Sequence, residues 1–334
     1  MNTKEEIIDA MRGESKDLPP PAIFTQTGTV GQMSQCGSAW PDANTDPVKM
    51  AELSVQLSKQ FGFACSRVPY CLVVESEAFG CDINEGTVEK QPMIVGSPYY
   101  SDSIMDVPDM ISPEEFVSTG RRSVVLDAAG KIASEHGDLF LTASMMDPLA
   151  VSCQVIGMEN LLMGLFMECD KIVDWIKALT PRLSAYAKAL SEVSDNVMVI
   201  TEGESDIIPP DMFDMLVTEH TSKVVSEIGS TFSTVHCCGN TIDIIENLVS
   251  IGSNALSIET HVDPEGILDR IGGKARLVGG IKPVDVLLQG TPEQIVSDAK
   301  KHADLGYSII APECGVPPRT SDENLMALSK YREL

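Results

Sequence analysis

Short apolar runs with β-branched residues recur along the C-terminal two thirds of the chain: LFLTAS from Leu139, NVMVIT from Asn196, STFSTV from Ser230, NALSIE from Asn254, ARLVGG from Ala275 and YSIIAP from Tyr307. Between them the spacing changes to a helical one. In TIDIIENLVSIG, Ile242, Ile245, Leu248 and Val249 share a face, and TPEQIVSDAKKHADLG opens with Thr291 as N-cap, Pro292 at the first helical position and Gln294 in place for a capping box. Earlier, PAIFTQTG from Pro21 and FGFACSRVP from Phe61 serve as two more strands, joined by DPVKMAELSVQLSKQ as a helix. Eight strands alternating with helices imply a parallel sheet closed into an α/β, (β/α)8 (TIM) barrel. A doubly wound open sheet is the alternative, but no glycine-rich dinucleotide or phosphate-loop fingerprint favours it. The expectation is a single barrel domain over residues 1–334 with an N-terminal extension. Residues about 70–120, rich in proline, serine and acidic groups, fit the alternation poorly and are expected to cross the barrel mouth, with a hairpin among them.

Charge narrows the partners. With 49 acidic and 24 basic residues, the net charge of −25 repels phosphate backbones, so nucleic acid is not expected. It suits a small-molecule enzyme or a docking surface for a protein with a basic patch, although most such charges simply keep a surface solvated. The N-terminal MNTKEEIIDAMRGESKDLPPP lacks an apolar signal core, and no apolar run is long enough to span a bilayer, so no membrane association and a cytoplasmic location are expected. Nine cysteines, an odd number without a secretion signal, read as thiols rather than a disulfide framework. The sixteen methionines, including Met145–Met146, read first as core packing.

The chemistry lies where the predicted strands end. The fourth closes at Thr201 and Glu202, the fifth at His236 and Cys238, the sixth at Glu259; the seventh leads to Lys282, and the eighth runs to Glu313 and Cys314. In a parallel barrel these ends converge on the face that carries the active site. His236 and Cys238 are two apart on an extended segment and project to one side; Gly239 then lets the chain turn. Cys314, expected at a neighbouring position around the barrel, completes a His–Cys–Cys set suited to zinc with one position left open, as in a catalytic site. Two thiolates and a neutral imidazole cancel the metal's charge, so a substrate thiolate joining them keeps much of its nucleophilicity. Cys237 faces the other way and is expected to be packed. Glu202, Glu204 and Glu259 are candidates for a fourth ligand or a supporting carboxylate, while Lys282 and Arg67 are candidate anion contacts. H-x-C with one distant cysteine lacks paired C-x-x-C spacing, and three mouth-lining side chains without a metal is the other reading that the residues alone allow.

HCCGN from His236 and APECGVPP from Ala311 resemble the H-x-C-G-N and A-P-x-C-G segments of the methylcobamide:coenzyme M methyltransferases of methylotrophic methanogens, within the uroporphyrinogen decarboxylase superfamily. TQTGTVGQM, AWPDANTDPVKMAELS, RVPYCLVVESEAFGCDINEGT, QPMIVGSPY, LSIE and ARLVGGI are similar to that family's segments in the same order, so the likeness covers nearly the whole chain. It implies a (β/α)8 barrel holding zinc through His236, Cys238 and Cys314. The implied reaction moves a methyl group from methylcobalamin, carried on a partner corrinoid protein, to the thiol of coenzyme M. A folate acceptor or a porphyrinogen decarboxylase activity are the alternatives within the superfamily. The decarboxylase members carry an arginine-rich segment after the first strand, where this chain reads FTQTGTV. The doubled proline of CGVPPRT and the extra acid of EGESDIIPP depart from the expected pattern.

Overall fold

The computed structural model describes residues 2–15, 18–259 and 263–334. Seven parallel strands form one curled sheet in the order β1 (Cys65–Val68), β4 (Phe140–Met146), β5 (Asn196–Thr201), β6 (Phe232–Cys237), β7 (Ala255–Ile258), β8 (Arg276–Ile281) and β9 (Ile309–Pro312). The eighth stave is the Pro21 segment, which pairs with β9 through a single parallel bridge to Ile310. Ala22 N donates to Ile310 O at 3.0 Å and Ile310 N to Pro20 O at 3.1 Å, closing an α/β barrel. The expected strand shrinks to one bridge: Pro21 has no N–H to offer a ladder, and the residues after Ala22 form no further backbone pairs with β9. On its other side, Ile23 N reaches the Cys65 thiol (3.3 Å) rather than a carbonyl of β1.

β4 and β5 are buried along their whole length, as strands covered on both faces must be. Near their N-terminal ends the barrel is filled by Phe140, 5.5 Å from Phe24 and 6.1 Å from Phe232 between ring centroids. A polar chain crosses three strands: Asn196 Nδ2 donates to Thr142 Oγ1 (3.2 Å), and Thr234 Oγ1 to Asn196 Oδ1 (3.0 Å). Each buried amide and hydroxyl in it is thereby satisfied. Met145 and Met146 are core residues, as their sequence context suggested.

The helical readings hold with local adjustments. DPVKMAELSVQLSKQ becomes two helices, Pro47–Ser54 and Gln56–Phe61, broken at Val55. TIDIIENLVS starts with a tight turn, which shifts the buried face to Ile244, Ile245 and Leu248. Thr291 caps its helix by accepting from Gln294 N at 3.4 Å, the forward half of the expected box, while the return bond from the Gln294 side chain is not made.

Residues after β1 leave the barrel and form an antiparallel pair, β2 (Asp82–Asn84) with β3 (Met93–Gly96), before the chain returns in the helix Gly120–Glu135. Two buried arginines of that helix hold the outgoing segment. Arg121 binds Glu77, the Cys71 thiol and Val73 O, and Arg122 binds Phe116 O and Val74 O. The hairpin loop meets the segment after β9 through Glu89 and Arg319, 2.6 Å apart. That ion pair joins the excursion to the loop that follows the last strand. Among the described residues no single helix is long and apolar enough to cross a membrane.

Candidate metal centre

β6 ends by delivering His236 inward and 3 % exposed, Cys237 fully buried, and Cys238 half-buried at the mouth. Cys237 is packed as expected; burial and the surrounding acids push its thiol up. Gly239 then turns at φ +75°, the left-handed region a Cβ disfavours. Its missing side chain leaves room for Glu204 from the loop after β5, whose Oε2 lies 1.8 Å from where a Cβ would stand. That carboxylate accepts from Asn240 N at 2.8 Å, and Asn240 O in turn accepts from Ser205 N at 2.7 Å. The turns after β5 and β6 are thus tied to each other.

From the far side, Glu313 N extends the β8–β9 pairing by donating to Ile281 O (2.9 Å), and Val316 N donates to Gln26 O (2.7 Å). Cys314 is held between these two anchors. His236 Nε2 lies 3.0 Å from Cys238 Sγ, which lies 3.2 Å from Cys314 Sγ, and the three donor atoms all fall within 4.8 Å of one another. The expectation that Cys314 sits beside β6 needs correcting. β7 and β8 intervene, and the sulfurs meet across the mouth of the barrel.

The donor set fits a zinc ion. Tetrahedral ligands at ordinary Zn–S and Zn–N lengths stand roughly 3.5–3.8 Å apart, so the trio needs to open by only about half an ångström. Its electrostatics ask for a cation. The hydrogen bond between the two thiols and the proximity of His236 push Cys314 down, while the same contact and burial push Cys238 up. One sulfur is an anion at the other's expense unless a positive charge sits between them.

His236 Nδ1 lies 3.0 Å from Ser257 Oγ on β7, leaving Nε2 directed at the cysteines. Ser257 carried no signal beyond its place in LSIE. Replacing it with alanine is expected to weaken zinc binding about 10–100-fold in a chelator competition, the usual cost of losing a partner that orients a ligand. Stability by thermal unfolding should fall by about 1–3 kcal/mol, because the buried imidazole loses its partner at Nδ1.

The remaining sequence candidates separate. The compact donor group holds neither Glu202 nor Glu259, although the Glu259 charge helps raise Cys238. Glu202 is half-buried at the end of β5, where burial raises its pKa. Arg67 lies wholly inside the protein, donating to Pro69 O and Ser144 Oγ, with Nε unpartnered and desolvation lowering its pKa to about 9. Lys282 is exposed after β8, and its charge is felt by His302 on the outer helix Pro292–Leu305.

Two buried carboxylates at the same end of the barrel escaped the sequence reading. Asp147 caps the helix Pro148–Ile156 through Ala150 N (2.7 Å) and accepts from Thr221 Oγ1 (3.0 Å); burial raises it to about 6. Glu75 is raised to about 7 by burial. The Asp–Pro pair after an apolar run is a readable helix start; nothing local marks Glu75.

A model of the family described as uroporphyrinogen decarboxylase matches residues 2–333. The methylcobamide:CoM methyltransferase MtaA of Methanosarcina barkeri is 30% identical over 334 residues, covering 99% of this chain and 97% of the relative. The methylcobamide:CoM methyltransferase MtbA of Methanosarcina mazei is 30% identical over 331 residues, covering 97% and 96%. A solved structure of a methyltransferase from Methanosarcina mazei superposes with a TM-score of 0.93 at 30% identity, covering 100% of this chain and 99% of that one.

Proposed function

The chain belongs to the uroporphyrinogen decarboxylase family, and on that premise we propose that it transfers a methyl group from a methylated corrinoid, presented by a partner corrinoid protein, to the thiol of coenzyme M. The observation that carries this reading is the meeting of His236 Nε2 with the Cys238 and Cys314 sulfurs at the barrel mouth. These residues would hold zinc, which when bound lowers the pKa of a thiol so that it reacts as the thiolate near neutral pH. Cys238 and Cys314 supply negative charge, His236 a neutral nitrogen aimed by Ser257, and Glu204 the backbone brace behind Gly239. The acceptor sulfur attacks the methyl carbon in line: a C–S bond forms, the Co–C bond breaks with its electron pair left on the corrinoid, and the thiol proton passes to solvent or a mouth carboxylate. Glu202 and Glu259 are the carboxylates to consider there, or as a fourth ligand. For the acceptor's sulfonate, the buried cation of Arg67 is the first candidate and Lys282 the second.

Decarboxylation of a porphyrinogen is disfavoured by the neutral, buried Thr25, Gln26 and Thr27 after the first stave, where several carboxylate arms would need cations. A folate acceptor is the other variant of the same transfer. The chain is taken as one barrel domain with residues about 70–120 inserted at its rim, working in the cytoplasm, where its free thiols stay reduced.

The test is zinc content of the purified protein together with a methyl-transfer assay using free methylcobalamin and coenzyme M. About one zinc per chain and methylated coenzyme M are expected. Metal-free protein that turns over porphyrinogens but methylates no thiol would overturn the reading.

A further inference from the structure

The helix Met158–Met167, sequence MENLLMGLFM, is apolar on more faces than it buries. Asn160, Leu161, Gly164 and Leu165 face the protein, while Phe166 is 85% exposed, Met167 81%, and Met158 and Met163 about half as much. An apolar helix of this kind is normally covered on all sides. It is also held rigidly: a Cβ on Gly164 would lie 2.2 Å from Ile104 and 2.8 Å from Ile172, so the backbone sits directly on its neighbours.

The apolar surface continues onto the excursion. Tyr100, exposed, rests against Gly157 and donates to Gln154 O at 3.1 Å, and the exposed Met105 is anchored through its carbonyl by Trp175 Nε1 at 2.8 Å. Met93 and Val95 present the outer side of β3. The apolar surface that Tyr100 and Met105 share with Met158–Met167 marks a contact site rather than the scattered exposure of an ordinary surface.

Its position follows from the topology. The helix Pro148–Ile156 starts directly after β4, and the 23-residue helix Cys169–Ser191 runs back toward the start of β5. That return helix is about 35 Å long against roughly 20 Å for β5, so its N-terminal end, and with it Met158–Met167, extends past the C-terminal ends of the strands at the rim of the mouth. Around the patch stand the exposed Asp102, Asp106, Glu159 and Asp170, while the nearby Lys171 is taken up by Glu168 and Asp106. An apolar centre with an acidic rim complements a protein surface that is apolar at its centre and basic at its edge. The same acids repel an anionic membrane. The preceding helix Pro148–Ile156, which together with Met158–Met167 is apolar enough for a bent span, has eight of its nine residues buried and no face left for lipid.

We propose that Met158–Met167, with Tyr100 and Met105, is the docking surface for the protein that carries the methylated corrinoid. This rests on the proposed transfer, since a methyl group bound to a macrocycle on another protein must be brought to the barrel mouth. The variant F166E/M167E alters only exposed side chains. With free methylcobalamin it should match the parent. With methylated corrinoid proteins of Methanosarcina barkeri and Methanosarcina mazei as donors, its kcat/KM should fall at least about 30-fold, the scale of losing an interface hot spot. The parent's rate with those donors should also fall as salt is raised. Equal rates of parent and variant with the protein-borne donors overturn the proposal. If the parent transfers no methyl group even from free methylcobalamin, the transfer reading has failed, and sedimentation of the chain with each corrinoid protein decides docking alone. A complex lost in the variant upholds it, and no complex overturns it. Self-association abolished by F166E/M167E, or binding to anionic phospholipid vesicles through these residues, assigns the surface to another occupant and overturns it as well.

Discussion

Cys314→Ala and Cys238→Ala are each expected to leave the barrel folded and to remove both zinc and thiol methylation. Either change takes one of three donors from a group confined within 4.8 Å. The surviving pair, one imidazole and one thiolate, neither encloses a cation nor balances its charge. Zinc affinity should fall by more than the ~10–100-fold that follows loss of a partner outside the ligand shell. Zinc should then drop well below one equivalent per chain after dialysis, with methyl transfer from free methylcobalamin falling in parallel. Stability is the weaker effect, since both thiols are only half-buried. Cys237→Ala is the matched control. It removes the fully buried sulfur between the two site residues, so it should keep zinc and activity while losing about 1–2 kcal/mol of stability by denaturant unfolding. Zinc retained at one equivalent in both Cys238→Ala and Cys314→Ala would falsify the metal centre and return the three residues to the role of mouth lining.

Gly239→Ala should be the most disruptive single methyl group that can be added near the site. The position requires φ +75°, which costs a residue with a Cβ roughly 1–2 kcal/mol. The new Cβ would also fall 1.8 Å from Glu204 Oε2, so the carboxylate must withdraw. Asn240 N–H then loses its acceptor, at about 0.5–1.5 kcal/mol for a half-buried donor that water can partly serve. The combined loss is about 1.5–3.5 kcal/mol. Because Cys238 is the adjacent residue, zinc affinity should fall with it. The single variant Glu204→Ala separates the two costs: it removes the acceptor of Asn240 N–H without straining the backbone at Gly239, so it should lose only the hydrogen-bond part. Equal urea midpoints for Gly239→Ala and the parent would show that this turn does not brace the site.

Most of the barrel was legible because its strands are apolar runs separated by helices with clear starts, such as Thr291–Pro292 and Asp46–Pro47. The hairpin was legible as an interruption of that alternation, and its contact with Arg319 was not. The first stave was overestimated because apolar patterning at Ala22, Ile23 and Phe24 reports burial and not pairing. Pairing is decided by what each N–H meets on closure: Ala22 N finds Ile310 O, whereas Ile23 N meets the Cys65 thiol. Arg67 was recognisable as a cation near a strand end. Its position inside the barrel, committed to Pro69 O and Ser144 Oγ, follows from register with β4 and has no local signature.

The donor set shows the same division. Residue types, the two-residue spacing of His236 and Cys238, the glycine that follows, and a third thiol at the end of the last strand are properties of the chain itself, because alternation and turn chemistry are local. Ser257 behind the imidazole, Glu204 filling the space under Gly239, and the approach of Cys314 across two intervening strands arose only on closure. An eight-stranded barrel is narrow enough that side chains from non-neighbouring strands touch at its mouth. Which of them touch is set by the stagger of the strands around the axis. That stagger is a property of the closed sheet as a whole, so no single segment of the chain encodes it.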